Sequence, residues 1–168
     1  MDARVSPEGW IAWQPVRVRC ALGRAGVARD KREGDGATPA GIFPVRRALY
    51  RADRIARPAT ALPVAALAPE DGWCDEPGDP LYNRAVRLPY TGRHERLWRA
   101  DGLYDALLVI GHNDSPPVPG LGSAVFVHAA RPDYGPTEGC VALALPDLLA
   151  LLEALAPGDR IAIAAPDR

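Results

Sequence analysis

AVFVHAARPDYGPTEGCVAL, residues 124–143, is the stretch on which the reading of this chain turns. Val125, Phe126 and Val127 are β-branched or aromatic and predict a strand that ends on His128. Ala129 to Pro136 is a polar loop with two prolines and a glycine. Thr137-Glu138-Gly139 then brings in Cys140 directly behind a glycine, and an apolar run follows. A hairpin-like return over the twelve positions from His128 to Cys140 would let the two side chains meet. A thiol with an imidazole in reach is the minimum apparatus for thiolate catalysis.

Upstream, Thr38-Pro39-Ala40-Gly41 reads as a tight turn that opens a strand over Ile42 to Tyr50. Together the two pieces resemble the L,D-transpeptidase catalytic domain, the YkuD-like family of peptidoglycan-modifying cysteine enzymes. That family shows an apolar strand ending in histidine, a variable loop, and Ser/Thr-x-Gly-Cys followed by an aliphatic residue. Phe126-Val127-His128 and Thr137-Glu138-Gly139-Cys140-Val141 fit those parts, and Thr38-Pro39-Ala40-Gly41-Ile42-Phe43 fits the family's early Thr-Pro-x-Gly-x-Phe. The resemblance spans about Gly34 to Ile163. The chain departs from the family pattern at Glu138, where many members carry histidine, and at Ala142, where many carry arginine or asparagine. Its loop between His128 and Cys140 is also short.

The resemblance implies a β-sandwich or open barrel with long loops. It also implies a chemistry. Cys140 would attack a carbonyl of a peptidoglycan stem peptide, with His128 taking the thiol proton and holding an ion pair with the sulfur. Backbone N–H groups at Gly139 and Cys140 would receive the oxyanion. A backbone carbonyl would orient the imidazole. Glu138 is expected to face away from the thiol, because a carboxylate beside it would disfavour the thiolate. His112, Arg131 and Thr137 are candidate substrate contacts. Transfer to an amine of a second stem gives a crosslink, and transfer to water makes the same thiol a carboxypeptidase or hydrolase. A catalytically weak cell-wall-binding domain is a third reading, given Glu138 and Ala142. No metal or organic cofactor is called for. His112, His128 and Cys140 fit no common zinc spacing.

Outward from that centre, 168 residues suit one domain, residues 1–168. A net charge of -1 gives no reason to expect nucleic acid or an anionic membrane as partner. Frequent proline and glycine with few candidate helices predict a mainly β fold. Trp10 to Cys20 alternates loosely and reads as one half-exposed strand. Ala21 to Gly36 reads as turns, with Lys31 to Gly36 a mobile loop near the cleft. Glu70 to Tyr90 reads as a long ordered loop, a wall or lid over a groove. Arg93 to Arg99 reads as one helical turn with Leu97 and Trp98 inward. Leu103 to Ile110 is a strand ahead of His112, and His94 is a surface residue. The clearest helix runs from Pro146 to Leu155, with an apolar stripe of leucines and a stop at Pro157-Gly158. Arg160 to Ala164 is the last strand.

Cys20, Cys74 and Cys140 are odd in number, so at least one thiol stays unpaired within the chain. Cys20 with Cys74 is either a disulfide or two separate buried thiols. Met1 to Arg19 has no apolar core of signal-peptide length, and no window reaches membrane-spanning length. The family works in the cell envelope, so the compartment stays open between envelope and cytoplasm.

Overall fold

The computed structural model describes residues 1–167. The chain runs through β1 (Asp2–Ser6), β2 (Trp10–Trp13), β3 (Val16–Arg19), β4 (Val27–Ala28), β5 (Thr38–Pro39), β6 (Gly41–Tyr50), β7 (Val64–Ala66) and β8 (Asp71–Cys74). It continues through β9 (Ala85–Arg87), β10 (His94–Arg96), β11 (Ala106–Ile110), β12 (Phe126–Ala129), β13 (Val141–Leu143), α1 (Leu145–Ala154) and β14 (Arg160–Ile163). The fold is mainly β with one helix, as the composition predicts.

Most strands join one sheet, in the order β13-β12-β11-β6-β14-β1-β2-β3, with β7 added beside β6. The long strand β6 links its two halves. Gly41 to Pro44 pair with β14, Val45 to Tyr50 pair with β11, and a register shift at Val109/Ile110 marks where it changes partner. Such an irregularity bends a strand and adds twist. Beyond β3 the chain reaches the opposite edge: Ala21 N–H donates to Ala142 O at 2.7 Å and Ala142 N–H to Ala21 O at 2.9 Å. The sheet therefore curls almost into a barrel, and its end strands have little open edge.

One face of the sheet holds a core of Val5, Ile11, Val45, Leu108, Val127, Leu143 and Ile161, filled by Leu148, Leu151, Leu152 and Leu155 of α1 and the residue after it. Each such leucine removed from water contributes roughly 1.5–3 kcal/mol. The helix begins with proline in its first turn and has no side-chain cap. Its anchorage is the leucine stripe. The other face of β11 and β12 meets a second cluster of Leu107, Val109, Phe126, Trp73, Leu97 and Tyr104. Every residue of both strands is therefore buried, and they read in sequence as unbroken apolar runs.

The second cluster is covered by a three-stranded sheet, β10-β8-β9. Here the structure corrects the sequence reading. Glu70 to Tyr90 holds two strands rather than one long ordered loop, and Arg93 to Arg99 contains β10 rather than a helical turn. His94-Glu95-Arg96 is extended because its backbone pairs with Cys74, Trp73 and Gly72, which sinks Leu97 into the core. His94 is half-buried, its Nδ1 2.8 Å from Gly92 O. Trp10 to Cys20 is likewise two strands, a hairpin folded at Gln14-Pro15, and not one strand. The turn needs proline where a continuous strand would need an N–H. Leu103 to Tyr104 precede β11 in a turn, and the helix and last strand fall within one residue of their expected limits. Cys20, Cys74 and Cys140 are all free, so the disulfide alternative for Cys20 and Cys74 is set aside. No described helix is long and apolar enough to cross a membrane.

Candidate active site

β12 delivers His128 to the face of the sheet that lies under the small sheet. Alternation along the strand sends Val127 to the helix side and Phe126 and His128 to the other. Cys140 stands one residue before β13. The two strands run parallel, with His128 opposite Ala142, so the segment between them is a crossover and not the hairpin-like return expected from sequence. Both side chains line one cavity of about 250 Å³.

The turn carrying Cys140 is braced by Thr137. Its hydroxyl donates to Cys140 O at 2.7 Å and accepts the Gly139 N–H at 3.0 Å. Thr137 lines the cavity, but its hydroxyl is spent on the turn. Gly139 has φ +142, and a Cβ there would stand 2.7 Å from Ala37 O. Only glycine lets the two segments approach so closely. Glu138 points outward as expected: its side chain is 82% exposed and accepts from Arg24 Nε at 3.1 Å. Among the described residues no backbone acceptor takes the Cys140 N–H.

The thiol donates to Ala124 O and accepts the Phe126 N–H, each at 3.3 Å. Ala124 holds a left-handed conformation, φ 51, which costs a non-glycine residue about 1 kcal/mol. Buried Asn83 holds it there, taking the Ala124 N–H and the Trp73 indole N–H on one oxygen, both at 3.0 Å. Desolvation pushes the Cys140 thiol up to about 12, with the Glu95 carboxylate adding to it.

His128 is 5% exposed. Its Nδ1 lies 2.8 Å from Ala129 O. A carbonyl only accepts, so Nδ1 carries the proton and Nε2 keeps its lone pair. Burial brings the imidazole down to about 4 despite that hydrogen bond. At neutral pH the resting pair is therefore a neutral thiol beside a neutral imidazole, where the sequence reading expected an ion pair. Tyr104 packs edge-on against His128, ring centroids 5.2 Å apart, and its hydroxyl donates to Glu95. Burial raises the Glu95 carboxyl above its ordinary range.

Arg131 lines the cavity and is exposed. His112 does not line it: its Nε2 lies 3.1 Å from Leu121 O, its ring meets Phe43 edge-on, and it faces a neighbouring cavity with Arg46 and Trp73. The sequence reading of His112 as a substrate contact gains no support from that position. Sequence reasoning missed Tyr104, Glu95, Arg99 and Asn83, and passed over Lys31 as part of a loop. Each is far along the chain from the Cys140 motif, and none sits in a pattern of its own.

The family model for the YkuD L,D-transpeptidase catalytic domain matches residues 9–163. No curated protein and no solved structure matches the chain.

Proposed function

Since the chain belongs to the family of L,D-transpeptidase catalytic domains, we propose that it is a cysteine transpeptidase of peptidoglycan stem peptides, with Cys140 as nucleophile and His128 as base. The family's action on peptidoglycan is cell-wall-associated, and the cell envelope is the site of action we propose. One observation carries the residue assignment: His128 and Cys140 line the same cavity, and the Nδ1 proton of His128 is committed to Ala129 O, which leaves Nε2 as a free base.

The reaction then follows from the charges. Burial raises the thiol and lowers the imidazole, so moving the thiol proton to Nε2 in the resting site is uphill. A free thiolate is too high in energy to wait for substrate. The proton leaves sulfur for Nε2 as the sulfur bonds to the carbonyl carbon of the stem's diamino acid. The carbonyl π electrons move to oxygen, and the oxyanion takes the unspent Cys140 N–H. One such donor lowers a barrier by roughly 3–4 kcal/mol. Collapse expels the terminal D-alanine, whose nitrogen takes the proton from Nε2, leaving a thioester. The side-chain amine of a second stem attacks it, His128 takes the amine proton, and sulfur leaves to recover that proton. Gly139 contributes no donor, because its N–H is held by Thr137.

Incubation with purified muropeptides and mass spectrometry tests this. Crosslinked dimers and a thioester adduct, both absent in Cys140→Ala, are expected. Shortened monomers without dimers would replace transfer by hydrolysis. No change in either product would overturn the enzyme reading in favour of a cell-wall-binding domain.

A further inference from the structure

The catalytic cleft contains a charge that the reaction above leaves unused. Lys31 is the sole lysine among twenty basic side chains. Its side chain is only 9% exposed, and it lines the Cys140 cavity. Two glycines make room for it. A Cβ on Gly122 would stand 3.2 Å from both Cγ and Cε of Lys31, and a Cβ on Gly139 would stand 3.7 Å from Nζ. The ammonium is thus packed against the residue just before the nucleophile.

The ammonium is fixed from behind. It donates to Asp35 and to Arg32 O, the latter at 2.9 Å. Asp35 is fixed in turn by the N–H groups of Arg32 at 2.8 Å and Ala37 at 2.9 Å. Despite desolvation, these partners hold its carboxyl below the ordinary range. An ammonium has three donors, and protein acceptors take two.

We propose that Lys31 is the fixed positive charge of the nucleophile turn, stabilising negative charge as it develops on the Cys140 sulfur and on the oxyanion beside the Cys140 N–H. The inference rests on Cys140 being the nucleophile. Once the thiol proton is on Nε2 the imidazolium is one counter-charge, Arg99 of the same cavity is engaged by Asp101, and the Cys140 N–H is a single dipole. A buried ammonium held against Gly139 supplies full charge in a medium where it is weakly screened. Its field also acts to lower the Cys140 thiol against the larger effect of burial. Lys31 acts through Cys140 and is a positioning residue for charge.

The test reads the thiolate and not the transfer reaction. Alkylation of Cys140 is followed at pH 8 with neutral iodoacetamide and anionic iodoacetate. Cys140→Ala identifies the labelled site. Lys31→Met is expected to slow iodoacetamide about tenfold, the effect of a one-unit rise in the thiol. Iodoacetate should slow further, because the charge that attracts it is gone. Lys31→Arg should stay within about threefold of wild type. Unchanged rates in Lys31→Met, or equal slowing in Lys31→Arg, overturn the proposal. If Lys31→Met does not fold, the lone lysine permits the same contrast on folded wild type. Reductive methylation keeps the charge and the rate, carbamylation removes both, and equal rates after the two treatments overturn it. A folded wild type labelled no faster than Cys140→Ala defeats the nucleophile assignment itself, and a normal Cys140 rate insensitive to Lys31 defeats only this inference.

Discussion

Cys20, inside the curled sheet, and Cys140, in the cleft beneath the small sheet, are both free thiols that burial pushes up to about 12. Their surroundings differ. Cys20 sits at the end of the β2–β3 hairpin in the apolar core with Val5 and Ile11, its N–H donating to Gly9 O at 2.8 Å. Cys140 opens onto a cavity lined by His128, Lys31, Arg99 and Tyr104. Resting acidity does not separate the two. What separates them is that Cys140 shares a cavity with an imidazole and an ammonium, while Cys20 is enclosed in the apolar core.

The largest effect is expected at the proposed nucleophile. Cys140→Ala is expected to lower crosslinking by about 10⁴-fold or more, followed by chromatography of muropeptide products. Full activity in that variant would break the comparison. Next is the base. His128→Gln is expected to lower the acylation rate by about 10²- to 10⁴-fold, measured by mass spectrometry of the thioester in single turnover. Loss of substrate binding with an unchanged acylation rate would contradict the assignment.

The buried imidazole also makes a stability prediction. His128 is lowered from 6.5 to about 4 in the folded chain, so the unfolded chain binds more protons between those values. Stability from this group is fully present above pH 6.5 and is lost as pH falls toward 4, in all by about 3 kcal/mol. Urea unfolding of wild type and His128→Gln across pH 4 to 8 checks it: the difference in slope should vanish above pH 7. The smallest effect is on the other side of the contrast. Cys20→Ala is expected to cost about 1–2 kcal/mol in urea unfolding and to leave the crosslinking rate within about twofold. A large loss of rate there would mean that the barrel interior and the cleft are coupled.

The legible parts of the fold were those that local pattern dictates. The leucine stripe gave α1 to within a residue, and unbroken apolar runs gave β11 and β12. The small sheet was not legible. Its strands are three or four residues long, carry acids and arginines, and exist because distant backbones pair. The parallel pairing of β12 with β13 was equally out of sight, since a two-residue alternation is the same in either direction. Of the site, His128 and Cys140 could be read because both belong to one short motif. Lys31, Glu95 and Tyr104, which line the cleft, and Asn83, which holds Ala124 from outside it, could not, because each comes from a separate part of the chain.

By itself the sequence determined a mainly β chain with one leucine-faced helix, and a thiol twelve positions after an imidazole beside a glycine. Those are local facts, set by side-chain periodicity and by what a residue without a Cβ permits. It took the closed fold to leave the thiol and the imidazole neutral, to spend the Gly139 N–H on Thr137, and to wedge one ammonium against the Cys140 turn. Protonation and donor availability depend on burial and on partners brought from elsewhere in the chain, and those quantities come into being when the chain closes on itself.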